Sequence, residues 1–229
     1  AAVVIEPMQS SAGYIIPPKE YLSKLQTVCQ RHDILLVVDE IQSGMGRTGK
    51  MWACEHSETT PDLITIGKAL GGGLPISALV GRAEILNSWG PGGFFGTFSG
   101  NPLSCAAASK TLEIMERDNL PAQAAEKGKY FLAGLQNLAK KHPLIGQVDG
   151  IGLYLSIELV KDHKTRQPAA NESSFMMTEL LKEGLVCELT GYYYNRFNLI
   201  PTLVISRSQI DRALGIFDKV IGRVEDKFK

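Results

Sequence analysis

The sequence of 229 residues lacks several features that mark membrane, secreted or nucleic-acid-binding proteins. No apolar run approaches the roughly 20 residues that a bilayer-spanning helix needs. No positively charged start followed by an apolar segment predicts a secretory signal. The 24 basic and 24 acidic residues cancel, so no basic excess indicates nucleic acid or an anionic membrane as a partner.

Cysteine and histidine are few and scattered. The four cysteines, Cys29, Cys54, Cys105 and Cys187, form no CxxC pair, and the four histidines show no metal-ligand spacing. This pattern favours structural thiols in a reducing compartment over disulfides or zinc ligands. We therefore expect no metal site and a cytoplasmic location.

The sequence does contain a lysine at the end of a short apolar run, with three glycines close behind it. Residues 63–66 predict a buried strand, and Lys68 follows two residues later. A lysine is expensive to bury unless it has a partner or a chemical role. One such role is a nucleophilic amine that forms a Schiff base with an aldehyde. A lysine that reaches water from a strand terminus explains the residue alone equally well.

An acidic residue follows the preceding strand in the same way. Residues 34–38 form an uninterrupted apolar run, and Asp39 comes directly after it. Ligands of open α/β sheets gather at the carboxyl ends of the strands, and Asp39 and Lys68 both lie just past such an end. A pyridoxal phosphate (PLP) site uses this pair, because the lysine forms the imine and the acid keeps the pyridine nitrogen protonated.

The blocks around these two residues resemble the class III PLP-dependent aminotransferases of fold type I. They are DEIQ at 39–42, GRTG at 46–49, GKALGGGLP at 67–75 and GTFSGNP at 96–102. The resemblance implies PLP as cofactor, with Lys68 and Asp39 as catalytic residues and Gln42 at the phenolic oxygen of the ring. It also implies that Thr97 binds the cofactor phosphate from the partner subunit of a homodimer. A large N-terminal portion of the family is absent from this sequence.

The order of the strand and helix patterns predicts an α/β fold with two domains. Residues 1–118 are expected to be the C-terminal part of the family's PLP-binding large domain, with a doubly wound, mostly parallel sheet. Its strands are predicted at 2–6, 34–38, 63–67 and 76–80. Residues 119–229 are expected to form a small C-terminal α+β domain.

In the predicted small domain, strands are expected at 152–159, 185–189 and 197–205. Pro201 interrupts the last of these, which is therefore expected at a sheet edge. Residues 142–146 are predicted to form a turn. The pattern Ser206 to Gln209 is typical of a capping box and predicts the start of the last helix.

Asn198 departs from the family pattern. Aligned on Pro201 and Leu203, it falls where the resemblance places an arginine that binds the substrate α-carboxylate through two parallel hydrogen bonds. Asparagine has neither the positive charge nor the two parallel N–H donors of arginine. This difference puts the binding of ordinary α-amino acids in doubt. Arg196 lies two residues earlier and hence on the same face of a strand. It could take over this role, or it could be an exposed arginine on an edge strand.

Ser11 is a second departure, because many family members that accept terminal amines carry a glutamate there. The pair Ser10-Ser11 is similar to the dialkylglycine decarboxylase branch. The blocks at 117–121, 142–146 and 158–162 resemble a branch that contains isoleucine 2-epimerase and an amino-lactam racemase. That racemase also lacks the arginine, and its substrate has no free carboxylate.

Three functions stay open at this point. The first is transamination between a small amine or amino acid and a keto acid, which is the family's commonest activity. The second is racemisation or epimerisation with the same Lys68 imine, favoured by the downstream blocks and by Asn198. The third is a cofactor-binding domain of a larger regulator, although no DNA-binding helical pair appears in the chain.

Overall fold

A computed structural model describes residues 1–229, which form two compact units. Unit 1 comprises Ala1–Met8 and Pro17–Pro121, and unit 2 comprises Gln9–Ile16 and Ala122–Lys229. The sequence predicted a single boundary after residue 118. In the structure the chain passes into unit 2 after residue 121, and the short segment Gln9–Ile16 also belongs to unit 2.

Unit 1 contains a four-stranded sheet. Its strands, in their spatial order, are β1 Ala2–Ile5, β2 Leu35–Asp39, β3 Leu63–Ile66 and β4 Ala78–Gly81. Strands β1, β2 and β3 run parallel, whereas β4 is antiparallel to β3. This mixed α/β arrangement confirms the predicted fold class. Each strand lies within two residues of its predicted bounds, because each apolar run ends at a glycine, a proline or a charged residue.

The helices of unit 1 are α1 Tyr21–Arg31, α2 Ala83–Leu86 and α3 Pro102–Arg117, with short 3-10 helices at Ala53–Ser57, Lys68–Gly71 and Asn87–Trp89. Leu22 and Cys29 of α1 pack on Leu36 and Val38 of β2. Helix α3 begins where Asn101 accepts hydrogen bonds from the first backbone N–H groups, with a proline at its first position.

Unit 2 contains an antiparallel sheet. Its strands are β5 Ile145–Ile151, β6 Tyr154–Asp162, β7 Gln167–Pro168, β8 Glu188–Thr190 and β9 Arg196–Leu199. The spatial order is β5, β6, β9, β8, and β7 pairs with the end of β6.

Two expectations for this sheet were wrong. Strand β5 begins at Ile145, inside the segment 142–146 that was predicted to form a turn. The prediction failed because Gly146 and Gly150 interrupt the apolar pattern that would have indicated a strand. Strand β9 was expected at an edge, but it lies between β6 and β8. It ends at Leu199, so Pro201 lies beyond it and removes no hydrogen bond from the ladder.

Helices cover one face of this sheet. They are α4 Leu120–Lys141, α5 Ala170–Lys182 and α6 Arg207–Phe228. Side chains alternate between the two faces of a strand, and the apolar members Leu155, Ile157 and Phe197 are fully buried in the core with Phe217 of α6. The opposite face carries the polar side chains of β6, β8 and β9. The predicted capping box at the start of α6 is confirmed.

The scarce residue types make no special site in the structure. All four cysteines are free, and burial raises the pKa of the Cys54 and Cys187 thiols to about 12. Neither thiol is therefore ionised at neutral pH. No group of three or more histidine, cysteine or carboxylate side chains could hold a metal ion. None of the helices combines the length and the apolar character that a bilayer crossing requires.

His142, just after α4, connects this helix to α6 through two carboxylates. Its Nδ1 lies 2.8 Å from Glu225 Oε2 and its Nε2 lies 2.7 Å from Asp218 Oδ1. Lys141 donates to both oxygens of Asp218, at 2.6 and 2.7 Å. The hydrogen bonds from Lys141 and His142 lower the pKa of the Asp218 carboxyl. The ionised form of Asp218 is therefore favoured in the folded state.

Because the pKa of Asp218 is lowered in the folded state, its carboxylate stabilises the fold at pH values above its ordinary pKa. This stabilisation is lost as the pH falls through the lowered pKa. We expect Asp218→Asn to reduce the free energy of unfolding at pH 7 by about 1 kcal/mol, since the carboxylate is partly screened by solvent. The difference from the unmodified protein should vanish in strong acid. Urea unfolding at several pH values measures it. Asp226→Asn, at an exposed pair on the same helix, is the control, and an equal loss there would contradict the expectation.

Candidate active site

The carboxyl ends of β2 and β3 bring the two main candidate residues to one edge of the unit 1 sheet. The strands are parallel neighbours, and Asp39 at the end of β2 stands in register with Thr65 of β3. The ladder continues one residue further, where Glu40 N donates to Thr65 O at 3.0 Å. Lys68 follows the end of β3 by two residues. The sequence predicted this shared edge for Asp39 and Lys68.

The Asp39 carboxylate is held by two hydrogen bonds on one oxygen. Ile41 N donates to Oδ1 at 2.9 Å, and Thr65 Oγ1 donates to the same atom at 3.0 Å. The side chain is half-buried. Since both bonds end on Oδ1, the second oxygen is left to accept a hydrogen bond from a ligand. Sequence reasoning missed Thr65, although it is the one polar residue within the apolar run of β3.

Lys68 opens a 3-10 helix in a left-handed backbone conformation. Its φ is 42°, which is uncommon for a residue with a side chain and costs about 1 kcal/mol or more. Two residues of the glycine run behind it, Gly72 and Gly73, also have positive φ values, of 57° and 113°, which glycine adopts readily. This tight turn leaves the Lys68 side chain exposed at the sheet edge.

Gln42 lies on the turn after β2 and contacts the lysine directly. Its Oε1 accepts a hydrogen bond from Lys68 Nζ. The structure therefore brings three predicted residues, Asp39, Gln42 and Lys68, to the same edge. An amine, a carboxylate and an amide are together, which is a suitable set for binding an aldehyde that carries a polar aromatic ring.

Thr97 lies in the segment before α3. Its side chain is exposed and makes no hydrogen bond with Asp39, Gln42 or Lys68. The neighbouring rings of Phe94, Phe95 and Phe98 are 68%, 88% and 82% exposed. The assignment of Thr97 to a cofactor phosphate stays a prediction, and it requires a second subunit.

A cavity of about 1130 Å³ opens beside β3 and β4. Ile41 and Thr65 line one part of it, and Phe94 and Phe98 line another. Ile41, the residue before Gln42, thus borders open space in unit 1.

In unit 2, the segment Gln9–Ile16 lies over the polar face of the sheet. The ring of Tyr14 stacks on that of Tyr154 with centroids 3.7 Å apart. Gly13 has a φ of 107°, and a Cβ there would lie 2.3 Å from Arg196 Cδ, so only glycine fits. Ser11 is exposed in this segment, and its carbonyl accepts from Gly191 N at 3.3 Å.

Arg196 is engaged by acidic groups of its own unit. Its Nη1 lies 3.1 Å from Asp149 Oδ2 and its Nη2 lies 3.4 Å from Glu158 Oε2. It also donates to the Gly13 carbonyl at 3.1 Å. The interpretation of Arg196 as an exposed edge residue is wrong, because the side chain is 14% exposed on an interior strand. Its guanidinium group already contacts two carboxylates and a carbonyl, which argues against its use for a substrate carboxylate.

Asn198 is buried on the same strand, 3% exposed. Its Nδ2 lies 3.4 Å from Glu188 Oε2, and its Oδ1 has no hydrogen-bond partner. Ser156 stands opposite on β6, and its hydroxyl also lacks a partner. This position supplies an amide, a hydroxyl and a carboxylate, and Asn198 brings no positive charge that would attract an anion.

Comparison with known proteins gives a consistent result over almost the whole chain. Residues 1–221 match the family model described as aminotransferase class-III. The chain is 38% identical to the 5-aminovalerate aminotransferase DavT of Pseudomonas aeruginosa, over 94% of this chain and 51% of that protein. It is 37% identical to the 4-aminobutyrate aminotransferase GabT of Escherichia coli, over 96% and 51%. It is also 40% identical to a leucine/methionine racemase of Thermococcus litoralis, over 99% and 51%.

Solved structures agree with these sequence matches. An aminotransferase of Bacillus anthracis superposes with a TM-score of 0.92 at 35% identity, covering 97% of this chain and 52% of that one. An amine transaminase from an uncultivated Pseudomonas species, solved with PLP bound, gives 0.91 at 33% identity, covering 98% and 52%. The chain spans about half the length of the curated relatives it matches. The predicted family resemblance is confirmed.

The hydrogen bond from Thr65 to Asp39 can be tested by stability measurements. We expect Thr65→Val, which keeps the branched shape and removes the hydroxyl, to lower the free energy of unfolding by about 1 kcal/mol. Thr65→Ser keeps a hydroxyl and should retain more of the stability. Urea unfolding of both variants measures the effect, and a larger loss in Thr65→Ser than in Thr65→Val would contradict it.

Proposed function

Because the chain belongs to the class III aminotransferase family, we propose that it forms part of a PLP-dependent enzyme. The enzyme acts at the amine-bearing carbon of a small amine or amino acid. It transfers the amino group to a keto acid. The observation that supports this proposal is the placement of Lys68, Gln42 and Asp39 at one edge of the unit 1 sheet.

The residues present fit PLP at three of its polar positions. The exposed amine of Lys68 suits the aldehyde. The second oxygen of Asp39 is available for the protonated ring nitrogen, since both observed bonds end on Oδ1. Gln42, already in contact with Lys68, suits the phenolic oxygen. In this proposal, Thr97 of the partner subunit binds the phosphate.

When bound, PLP supplies an electron sink for the electrons left behind as the substrate loses a proton from its amine-bearing carbon. Asp39 stabilises the proton on the ring nitrogen through its negative charge. Ile41 and Thr65 fix the Asp39 carboxylate, so its free oxygen keeps one direction. The Lys68 amine serves as the base that removes the substrate proton and later returns it. Gln42 restricts where that amine can lie.

We propose that the active form is a homodimer or a larger homo-oligomer. Three phenylalanines flank Thr97, and each is more than two thirds exposed. Exposed apolar groups of this size are usually covered by a partner in solution. In this proposal, a second copy covers residues 94–98, and Thr97 serves the site of that copy.

Racemisation or epimerisation is the second candidate function. The identity of 40% to a racemase supports it, and so does the neutral, buried Asn198 beside Glu188. On this proposal, Asn198 and the exposed Ser11 contact the substrate, and Asn198 favours a substrate without a free carboxylate at that point. The same Lys68 and Asp39 serve both reactions, which differ in the carbon that receives the returned proton.

Lys68→Ala tests the central assignment. We expect the variant to lose borohydride-trapped labelling by PLP at position 68 and at least about 100-fold in turnover, because the general base is removed. Lys50→Ala is the matched control, since Lys50 is exposed and donates only to the Glu55 carbonyl. Mass spectrometry of reduced protein locates the label. Full labelling of another lysine in Lys68→Ala would refute the assignment.

A second experiment separates the two candidate reactions. The full-length protein with PLP is incubated in deuterated water with candidate amines and no keto acceptor. A transaminase is expected to release one equivalent of carbonyl product per site. A racemase or epimerase is expected to introduce deuterium at the amine-bearing carbon with loss of chirality and no carbonyl product. If no tested primary amine or amino acid gives carbonyl product or deuterium incorporation, both candidate reactions are contradicted.

A further inference from the structure

Glu40 is a buried carboxyl group beside the candidate site that the proposed chemistry does not use. It follows Asp39 directly and is 1% exposed. Burial raises the pKa of its carboxyl. A carboxyl group in such a place is costly unless hydrogen-bond donors surround it. The structure must therefore supply hydrogen-bond donors that compensate for the burial of Glu40.

The two carboxyl oxygens of Glu40 join both ends of one loop. Ser43 Oγ donates to Oε2 at 2.6 Å, and Cys54 N donates to Oε1 at 2.8 Å. Ser43 lies on the turn that leaves β2, whereas Cys54 lies in the 3-10 helix Ala53–Ser57. Glu40 thus links the beginning of the loop of residues 41–54 to its end through hydrogen bonds.

The packing within this loop leaves little freedom for an alternative arrangement. A Cβ on Gly44 would lie 2.7 Å from Glu40 O and 3.0 Å from Trp52 Cε3. Met45, Gly46 and Gly49 all have positive φ values. Glycine adopts such values readily, whereas the value at Met45 is uncommon for a residue with a side chain and persists only where the surrounding structure fixes it.

Gln42 lies inside this closed turn, between Glu40 and Ser43. Its Oε1 is the acceptor for Lys68 Nζ, so the position of the turn sets the position of the lysine amine. Glu40 itself has both oxygens occupied by donors of the loop. Its influence on Lys68 must therefore pass through the turn and not through direct contact.

We propose that Glu40 is a positioning residue, which closes the loop of residues 41–54 and thereby holds Gln42 against Lys68 and the PLP ring. This inference rests on the proposed function. Loss of the closure would let Gln42 and the lysine amine take several arrangements. PLP would then bind more weakly and in a less fixed orientation.

The test compares Glu40→Ala with Glu55→Ala in the full-length protein. Glu55 is a matched control, since its carboxylate accepts from Trp52 N at 2.7 Å in the same loop but lies at the exposed surface. The readouts are the dissociation constant of PLP and the visible circular dichroism of bound PLP, which reports how firmly the ring is oriented. We expect about tenfold or more weaker binding and reduced dichroism in Glu40→Ala, and near-normal values in Glu55→Ala.

Glu40→Gln should largely restore both readouts. Its amide oxygen can accept from Cys54 N, and its NH₂ can donate to the Ser43 hydroxyl, which is able to reverse its role. If Glu40→Ala does not fold, Ser43→Ala decides, with an expected weakening of PLP binding of about threefold. Normal affinity and dichroism in Ser43→Ala would then overturn the proposal.

Borohydride labelling of the unmodified protein is done first. Absence of label at Lys68 would overturn the proposed function together with this inference. Label at Lys68 combined with unchanged PLP affinity and dichroism in Glu40→Ala would overturn the inference alone. Equal losses in Glu40→Ala and Glu55→Ala would also overturn it, since any disturbance of the loop would then have the same effect.

Discussion

The parallel pairing of β2 with β3 is the interaction on which the candidate site depends. It sets Asp39 against Thr65, so that a hydroxyl from one strand fixes a carboxylate on the next. A shift of one residue would turn Thr65 to the other face of the sheet, and Asp39 would lose this donor. The apolar side chains that hold the register are buried between the sheet and α1. Hydrophobic packing in the core therefore determines the direction of a charged group at the edge.

Sequence reasoning succeeded where a residue's position in the fold follows from its place at the end of a strand. Asp39 and Lys68 each follow an apolar run, and the runs predicted the parallel strands of unit 1. It failed where pairing between distant strands decides the environment. The carboxylates that bind Arg196 lie on β5 and β6, and the glycines of β5 concealed that strand. The link from Glu40 to Cys54 spans 14 residues, and no local pattern indicates it.

The two units use polar groups in different ways. In unit 1, the Asp39 carboxylate is held by two hydrogen bonds on one oxygen and retains capacity for a ligand on the other. In unit 2, Arg196 contacts two acidic side chains, whereas Asn198 and Ser156 have buried polar atoms without partners. Unpaired buried polar atoms are uncommon in folded proteins because they lose hydration without compensation.

The segment Gln9–Ile16 has a consequence for the order of folding. It is separated by more than 100 residues from the rest of unit 2, yet it supplies the ring that stacks on Tyr154. Contacts between such distant residues form late, because the intervening chain must first be restrained. On the ribosome, residues 9–16 emerge long before the sheet that they cover has been synthesised. Unit 2 therefore cannot be complete until its sheet has been synthesised, because residues 9–16 pack on strands that leave the ribosome much later.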